Sequence, residues 1–202
     1  MLKRFFDFVF SAVGLLALSP FFFVIALLIK TDSAGPVFFR QVRVGRYLCR
    51  FKIHKFRTMV VNASDLGPSV TTDVDPRVTT VGKVLRKYKL DELPQLIDVF
   101  LGDMSLVGPR PEVPKYVEGY SEMDKKIIFS VKPGITDKAS IEFRNENELI
   151  ADSSNVDRVY LEKILPIKLG YYREYVEKQS LWLDIYIILK TVWLILTFNS
   201  NK

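Results

Sequence analysis

Leu90-Asp91-Glu92-Leu93-Pro94-Gln95-Leu96 is the stretch of this 202-residue chain best equipped for chemistry. Proline belongs in the first turn of a helix, so Pro94 puts Asp91 and Glu92 at a helix N-terminus. The helix dipole there keeps carboxylates ionised. Arg86, Lys87 and Lys89 stand just upstream. Two carboxylates among several cations suit phosphate chemistry with a bridging Mg²⁺, a hard cation matched to carboxylate and phosphate oxygens. Successive residues at a helix start point in different directions, so one carboxylate can attack phosphorus while its neighbour holds the metal. The same pair also reads as ordinary helix capping, which carries no chemistry.

Other chemistries are scarce. A single cysteine, Cys49, excludes an intrachain disulfide and Cys-rich zinc sites, and a single histidine, His54, excludes two-His metal sites. Gly108-Pro109-Arg110-Pro111 is a rigid turn whose prolines preorganise Arg110. The chain carries 29 basic and 23 acidic residues, a net charge of +6, and is 49% hydrophobic. So apolar a chain is not a disordered tail. It is also an odd nucleic-acid binder, because its apolar excess must be housed somewhere.

Much of that excess lies in Phe8–Ile29, which are 22 consecutive residues without a charge. As one straight helix they reach about 33 Å, against a hydrocarbon core of roughly 30 Å. Ala17-Leu18-Ser19-Pro20 is not a small-x-small cleavage site, so the segment is expected to stay in the protein. Pro20 removes a backbone donor and displaces the Leu16 carbonyl, which bends or breaks a helix. The arms Phe8–Ser19 and Phe21–Ile29 span about 18 and 14 Å, and neither crosses a bilayer alone. Lys3 and Arg4 before the segment and Lys30 after it make both ends look cytoplasmic. A hairpin that enters and leaves by one face and a Pro-kinked transmembrane anchor both fit.

Residues 30–60 hold eight basic residues against one acid, Asp32, a local charge of +7. Such a block after a membrane element attracts anionic lipid, by about 1 kcal/mol per residue near the surface. Within it, residues 37–44 and 47–56 alternate as two strands of a hairpin around Gly45-Arg46. Arg50, Lys52 and His54 are expected on one face and Cys49, Phe51 and Ile53 on the other. Residues 62–80 read as a loop. A helix is expected over Val81–Tyr88, with Val81, Val84, Leu85 and Tyr88 on one stripe. A second has Leu93, Leu96, Ile97 and Phe100 at i, i+3, i+4, i+7 and stops at Gly102. A third helical stretch is expected over Val113–Val131. Leu181–Phe198 is again apolar, but Asp184 and Lys190 favour an interfacial or packed helix over a second span.

Five segments now stand in order: the apolar stretch with its Ser-Pro, Lys55-Phe56-Arg57-Thr58-Met59, Leu90–Gln95, Gly102-Asp103-Met104-Ser105-Leu106-Val107-Gly108-Pro109-Arg110-Pro111 and Lys132-Pro133-Gly134-Ile135-Thr136. With Asp184 in Ser180–Ile185, this order resembles the bacterial sugar transferases, the monotopic polyprenyl-phosphate phosphoglycosyl transferases, over nearly the whole chain. The chain looks like their minimal form, without extra N-terminal spans. The resemblance implies a predominantly helical α+β fold. Residues 1–30 would form a kinked re-entrant membrane helix. Residues 31–202 would form a cytosol-facing catalytic domain with a small β-hairpin and a C-terminal interfacial helix.

The implied reaction transfers a phospho-sugar from a UDP-sugar to polyprenyl (undecaprenyl) phosphate at the cytoplasmic face of the bacterial inner membrane. UMP is released, and the product starts a polysaccharide or glycoconjugate. Asp91 would be the nucleophile, forming a phosphosugar-aspartyl intermediate, and Glu92 with Asp91 would hold Mg²⁺. Lys55, Arg57, Arg86, Arg110 and Arg144 would bind substrate, while Ser19, Pro20 and Asp184 would be structural. Partners implied are the UDP-sugar, polyprenyl phosphate and membrane lipids, with a homodimer or pathway glycosyltransferases as protein partners; nucleic acid is not expected.

Where many relatives continue Pro-Gly-(Ile/Leu)-Thr with Gly-Leu, this chain has Asp137-Lys138-Ala139-Ser140-Ile141, so no sugar specificity carries over. Two competing readings remain. One is a membrane-bound aspartyl phosphatase or phosphotransferase with another acceptor. The other is a non-enzymatic basic module on anionic lipid, indifferent to changes at Asp91 or Glu92.

Overall fold

The computed structural model describes residues 1–63, 66, 75–143 and 156–197. Helix α1 (Leu2–Asp32) runs through the Ser-Pro step as one element, so the chain is not broken there. Pro20 cannot donate to the Leu16 carbonyl, and the Ser19 hydroxyl donates to it instead at 2.8 Å. The freed acceptor is thereby satisfied. Burial along α1 is inverted: in its first half the buried residues are Asp7 and Ser11, while Phe5, Phe8, Phe10, Val13 and Leu16 are exposed. That pattern suits a helix whose outer solvent is hydrocarbon.

Both ends of α1 are tied to the same body. Lys3 Nζ sits 2.5 Å from Asp184 Oδ2, Arg4 donates to the Val99 and Phe100 carbonyls at 2.5 and 2.8 Å, and Asp7 accepts the Leu106 N–H at 3.0 Å. At the other end the Arg57 guanidinium donates to the carbonyls of Ser33 (2.7 Å) and Ala34 and closes the helix. Asp32 Oδ2 accepts the Val81 N–H at 3.0 Å, which caps helix α2 (Thr80–Lys87).

The expected hairpin forms: β1 (Phe38–Val44) and β2 (Arg50–Phe56) pair antiparallel from Phe38↔Phe56 to Val44↔Arg50. Its turn takes Arg46–Leu48, with Tyr47 and Leu48 at positive φ, so β2 starts later than the alternation suggested. The expected cationic face holds for Arg50 and Lys52, which are exposed, but not for His54. His54 turns to Asp98 of helix α3 (Gln95–Leu101): Nδ1 lies 2.6 Å from Oδ1 and its backbone N–H donates to Oδ2 at 2.8 Å. Several other residues of the basic block are also engaged by the fold. Arg40 bonds His54 and the Lys52 carbonyl, Arg43 the Pro111 carbonyl and Arg46 the Ser130 carbonyl.

The stripe expected on α2 is right for Leu85, which is buried, and wrong for Val84, which is exposed. Helix α3 stops at Gly102, at φ 99°, as read from the sequence. The apolar stripe packs on α1 and not on the central body. Gln95, Asp98 and Val99 face the body, whereas Phe100 stacks on Phe8 of α1 at 4.9 Å and Leu96 lies against Gly14. The apolar stripe meets the apolar helix α1, so the opposite side is left to hold the core contacts.

Strand β3 (Ser105–Val107) pairs in parallel with β4 (Gly134–Thr136), and neither three-residue strand is long enough to show a periodicity. Gly134 permits the contact; a Cβ there would meet the Gly108 nitrogen at 2.0 Å. The stretch expected as one helix over Val113–Val131 is two, α4 (Pro114–Val117) and α5 (Glu122–Ile128). Ser121 caps α5 by accepting the Asp124 N–H at 3.0 Å, so the chain restarts there. Helix α6 (Lys138–Glu142) follows β4. Helix α7 (Val156–Val159) leads through a π-turn (Tyr160–Ile164) into α8 (Leu165–Lys178), and α9 (Leu181–Thr197) ends the described chain. The main core joins Val44, Tyr116, Phe129, Tyr160, Leu165 and Tyr172. The architecture is mostly helical with two small sheets.

Candidate active site

The dyad does not sit in the first turn of α3. Pro94 has no N–H with which to continue a hydrogen-bond ladder from Leu90, so Leu90–Glu92 close a 3₁₀ turn of their own and α3 begins at Gln95. The turn is entered through Lys89 in the left-handed region (φ 56°), a conformation costing a non-glycine residue roughly 1–2 kcal/mol. Asp91 is thereby turned inward, 9% exposed.

The two carboxylates are treated differently. Glu92 Oε1 lies 2.6 Å from Lys55 Nζ on β2 and 2.8 Å from Arg110 Nη2, and its Oε2 lies 3.4 Å from Arg110 Nη1. Asp91 accepts no hydrogen bond from a described side chain; its cations act at longer range. Burial raises the Asp91 pKa, and Lys55, Lys89 and Arg86 only partly oppose this. Burial also works against the Glu92 carboxylate, but Arg110 and Lys55 outweigh it and hold Glu92 well below its ordinary range. Burial lowers the Lys55 pKa against the pull of Glu92. Glu92, ahead of burial, holds Arg110 well above its usual value.

Arg110 is aimed by its backbone. The Gly108 N–H donates to the Thr136 carbonyl at 3.1 Å and the Gly134 N–H to the Pro109 carbonyl at 3.0 Å, extending the β3–β4 pairing to the edge of the turn. Pro109 and Pro111 restrict the chain on either side of the arginine. From β1, Arg43 Nη1 donates to the Pro111 carbonyl at 3.1 Å and the Val44 N–H to the Glu112 carbonyl at 3.0 Å.

Of the residues expected to bind substrate, Lys55 and Arg110 meet at Glu92, and Arg86 stands close enough to act on Asp91 while its Nε donates to Thr58 Oγ1 at 2.9 Å. Arg57 does not join them, because its guanidinium is occupied at the end of α1. Arg144 lies outside the described residues. Asp184 lies away from the dyad: 1% exposed, it bonds Lys3 and the Tyr175 hydroxyl (2.7 Å).

Behind Arg110 is a buried polar group that the sequence reading missed: Arg43, Glu112, Tyr160 and Tyr172. The Tyr160 hydroxyl donates to Glu112 Oε1 at 2.7 Å, and the Arg43 Nε and Tyr172 hydroxyl are buried without a hydrogen-bond partner among the described residues. Glu112 directly follows the Pro-Arg-Pro turn and could have been suspected on that ground. Tyr160, 48 residues away, carries no local signal.

The dyad fits Mg²⁺. No group of three or more His, Cys, Asp or Glu ligands exists among the described residues, and Mg²⁺ is commonly held by one or two carboxylates with substrate phosphates completing its shell. Asp91, inward-facing and unengaged, and the less occupied Oε2 of Glu92 are the oxygens available.

The bacterial sugar transferase family matches residues 1–198. The chain is 39% identical over 201 residues to the UDP-N-acetylgalactosamine-undecaprenyl-phosphate N-acetylgalactosaminephosphotransferase of Aeromonas hydrophila, covering 97% of this chain and 44% of that protein. It is 41% identical over 196 residues to the UDP-glucose:undecaprenyl-phosphate glucose-1-phosphate transferase of Escherichia coli K12, covering 96% and 40%. It is 36% identical over 209 residues to the exopolysaccharide production protein ExoY of Rhizobium meliloti, covering 95% and 84%. The chain thus spans less than half the length of the first two and most of the third. A match along nearly its full length, with the Asp-Glu turn, the Lys55 strand and the Arg110 turn converging in one place, makes this chain a member of the bacterial sugar transferase family.

Proposed function

We propose that the protein transfers a phospho-sugar from a UDP-sugar to polyprenyl phosphate and releases UMP. The observation that carries this reading is the asymmetry of the dyad: Glu92 is ion-paired twice, and the buried Asp91 beside it is unengaged. A clamped carboxylate orients cations, while an unengaged one can react.

Asp91 Oδ attacks the β-phosphorus of the sugar nucleotide. The bond from that phosphorus to the bridging oxygen breaks, UMP leaves with the electron pair, and an aspartyl-phosphosugar remains. An oxygen of the lipid phosphate then attacks the same phosphorus, which frees Asp91 and gives the lipid diphosphate sugar. Lys55 and Arg110, held in place by Glu92, present positive charge to the diphosphate, and Arg86 and Lys89 extend that field. Mg²⁺, when bound by Asp91 and Glu92, supplies further neutralisation of the leaving phosphate. The relatives act on different sugars, glucose and N-acetylgalactosamine by their names, so no single sugar is assigned.

The lipid acceptor calls for a membrane address. The inverted burial of α1 supports insertion, and the attachment of both its ends to one body supports entry and exit on the same side, in a re-entrant arrangement facing the cytoplasm. Exposed Trp182, Tyr186, Leu189, Trp193 and Leu196 line one side of α9, which supports an interfacial position for it.

The test is to incubate the protein with UDP-sugars in the absence of acceptor and analyse the peptide bearing Asp91 by mass spectrometry. A phosphosugar adduct and one equivalent of UMP are expected, both lost in Asp91→Asn. UMP release by Asp91→Asn, or turnover with water as the acceptor, defeats the proposal. Removal of divalent cations by chelation is expected to stop turnover, with restoration by Mg²⁺.

A further inference from the structure

A groove of about 330 Å³ lies between α6, α8 and α9, on elements that contribute nothing to the dyad. Ile141, Leu183 and Ile187 give it an apolar floor, and Lys138, Lys178 and Lys190 stand around it with Glu174 as the one acid in its lining. Its volume falls within the range of small-ligand sites, roughly 300–1,000 Å³.

The lysines are paired, but only at the surface. Lys138 and Lys178 share Glu174 at 2.7 and 3.2 Å, and Lys190 meets Glu142 at 3.2 Å, with every partner more than a third exposed. Such pairs contribute little, about 0–1 kcal/mol, and are readily exchanged for a better anion. Tyr186 lines the groove and also belongs to the exposed apolar stripe of α9. The groove is therefore continuous with that stripe. A ligand seated here meets hydrocarbon-like surface on one side and lysine ammonium groups on the other.

We propose that this groove binds an anionic phospholipid of the host membrane, its phosphodiester among Lys138, Lys178 and Lys190 and the upper part of its acyl chain along Leu183, Ile187 and Tyr186. An excess of lysines beside an apolar floor complements a lipid with a net negative headgroup and gives no such preference to a zwitterionic one. The polyprenyl phosphate substrate is the poorer occupant. Its phosphate must reach Asp91, and the groups acting on Asp91 (Lys55, Lys89 and Arg86) all lie on other elements. The inference rests on the membrane position proposed above.

The chain's two tryptophans are Trp182 and Trp193, both exposed on α9, so intrinsic tryptophan fluorescence reports on this helix alone. The full chain would be reconstituted in phosphatidylcholine vesicles containing a minor fraction of phosphatidylglycerol. The bromine quencher would be placed on the acyl chains of one lipid or the other. Brominated phosphatidylglycerol is expected to quench several-fold more per molecule than brominated phosphatidylcholine. The triple variant Lys138→Gln, Lys178→Gln, Lys190→Gln is expected to lose that preference by roughly fivefold or more. These side chains are all exposed, and circular dichroism would establish that the variant folds. Equal quenching by the two lipids, or a preference unchanged in the variant, overturns the groove assignment while leaving the membrane position standing. Relief of phosphatidylglycerol quenching by stoichiometric polyprenyl phosphate overturns it in favour of the substrate. Absence of quenching by either lipid refutes the membrane position itself, and the groove assignment with it.

Discussion

Asp98 holds His54 by two hydrogen bonds, one to the backbone N–H at 2.8 Å and one to ring Nδ1 at 2.6 Å. The aspartate lies on the helix that follows the Asp91-Glu92 turn, and the histidine precedes Lys55 on β2. This contact therefore ties the strand that carries Lys55 to the helix that follows Glu92. Asp98 is fully buried, so its loss leaves a buried backbone donor unsatisfied. Asp98→Ala is expected to lower unfolding free energy by about 2–4 kcal/mol, and Asp98→Asn, which keeps one acceptor, by less. Urea denaturation of both variants checks the order.

Arg57 separates two roles that the sequence left joined. Because its guanidinium closes α1, Arg57→Ala is expected to cost about 2–3 kcal/mol of stability and to leave the KM for UDP-sugar unchanged. A raised KM with intact stability, measured by steady-state kinetics beside thermal unfolding, would return it to the substrate site.

Lys55 opposes the rise that burial imposes on the Asp91 pKa. Lys55→Met removes that opposition, so Asp91 should hold its proton to higher pH. The acid limb of the kcat/KM profile, which follows ionisation of the nucleophile, should shift upward in pH, with an overall fall of roughly 10²-fold. An unshifted limb would show that Lys55 does not act on Asp91.

Glu92 gives a stability signature of the opposite sign. Its folded-state pKa is depressed, so its ion pairs contribute fully above the ordinary value of 4.5 and are lost as pH falls through the lower folded-state value. Measured in an Asp91→Asn background, which removes the contrary contribution of Asp91, stability should fall with pH below 4.5. Adding Arg110→Gln should flatten that fall. Urea midpoints collected across this range decide it.

Local chemistry alone made several features legible in the chain. The alternation of residues 37–56 made a hairpin, Gly102 stopped a helix, and 22 uncharged residues made an element suited to hydrocarbon. The adjacency of Asp91 and Glu92 was likewise evident, as were the Pro-flanked Arg110 and the full-length likeness to the sugar transferases. The local features are readable because each depends on neighbours within a turn or two, and the likeness because its motifs keep their order along the chain.

Only the tertiary structure decided which residues the dyad meets. Arg57 and Lys55 are two positions apart on the chain, yet one closes α1 and the other pairs with Glu92, because their segment passes both elements. The polar side of α3 faces inward because its apolar side is claimed by α1, a partner some eighty residues earlier that no local periodicity can name. The difference between a clamped Glu92 and an unengaged Asp91 arises the same way, from Arg110 and Lys55 arriving on separate strands and turns. Charge type is a property of the residue, but its partner is a property of the packing.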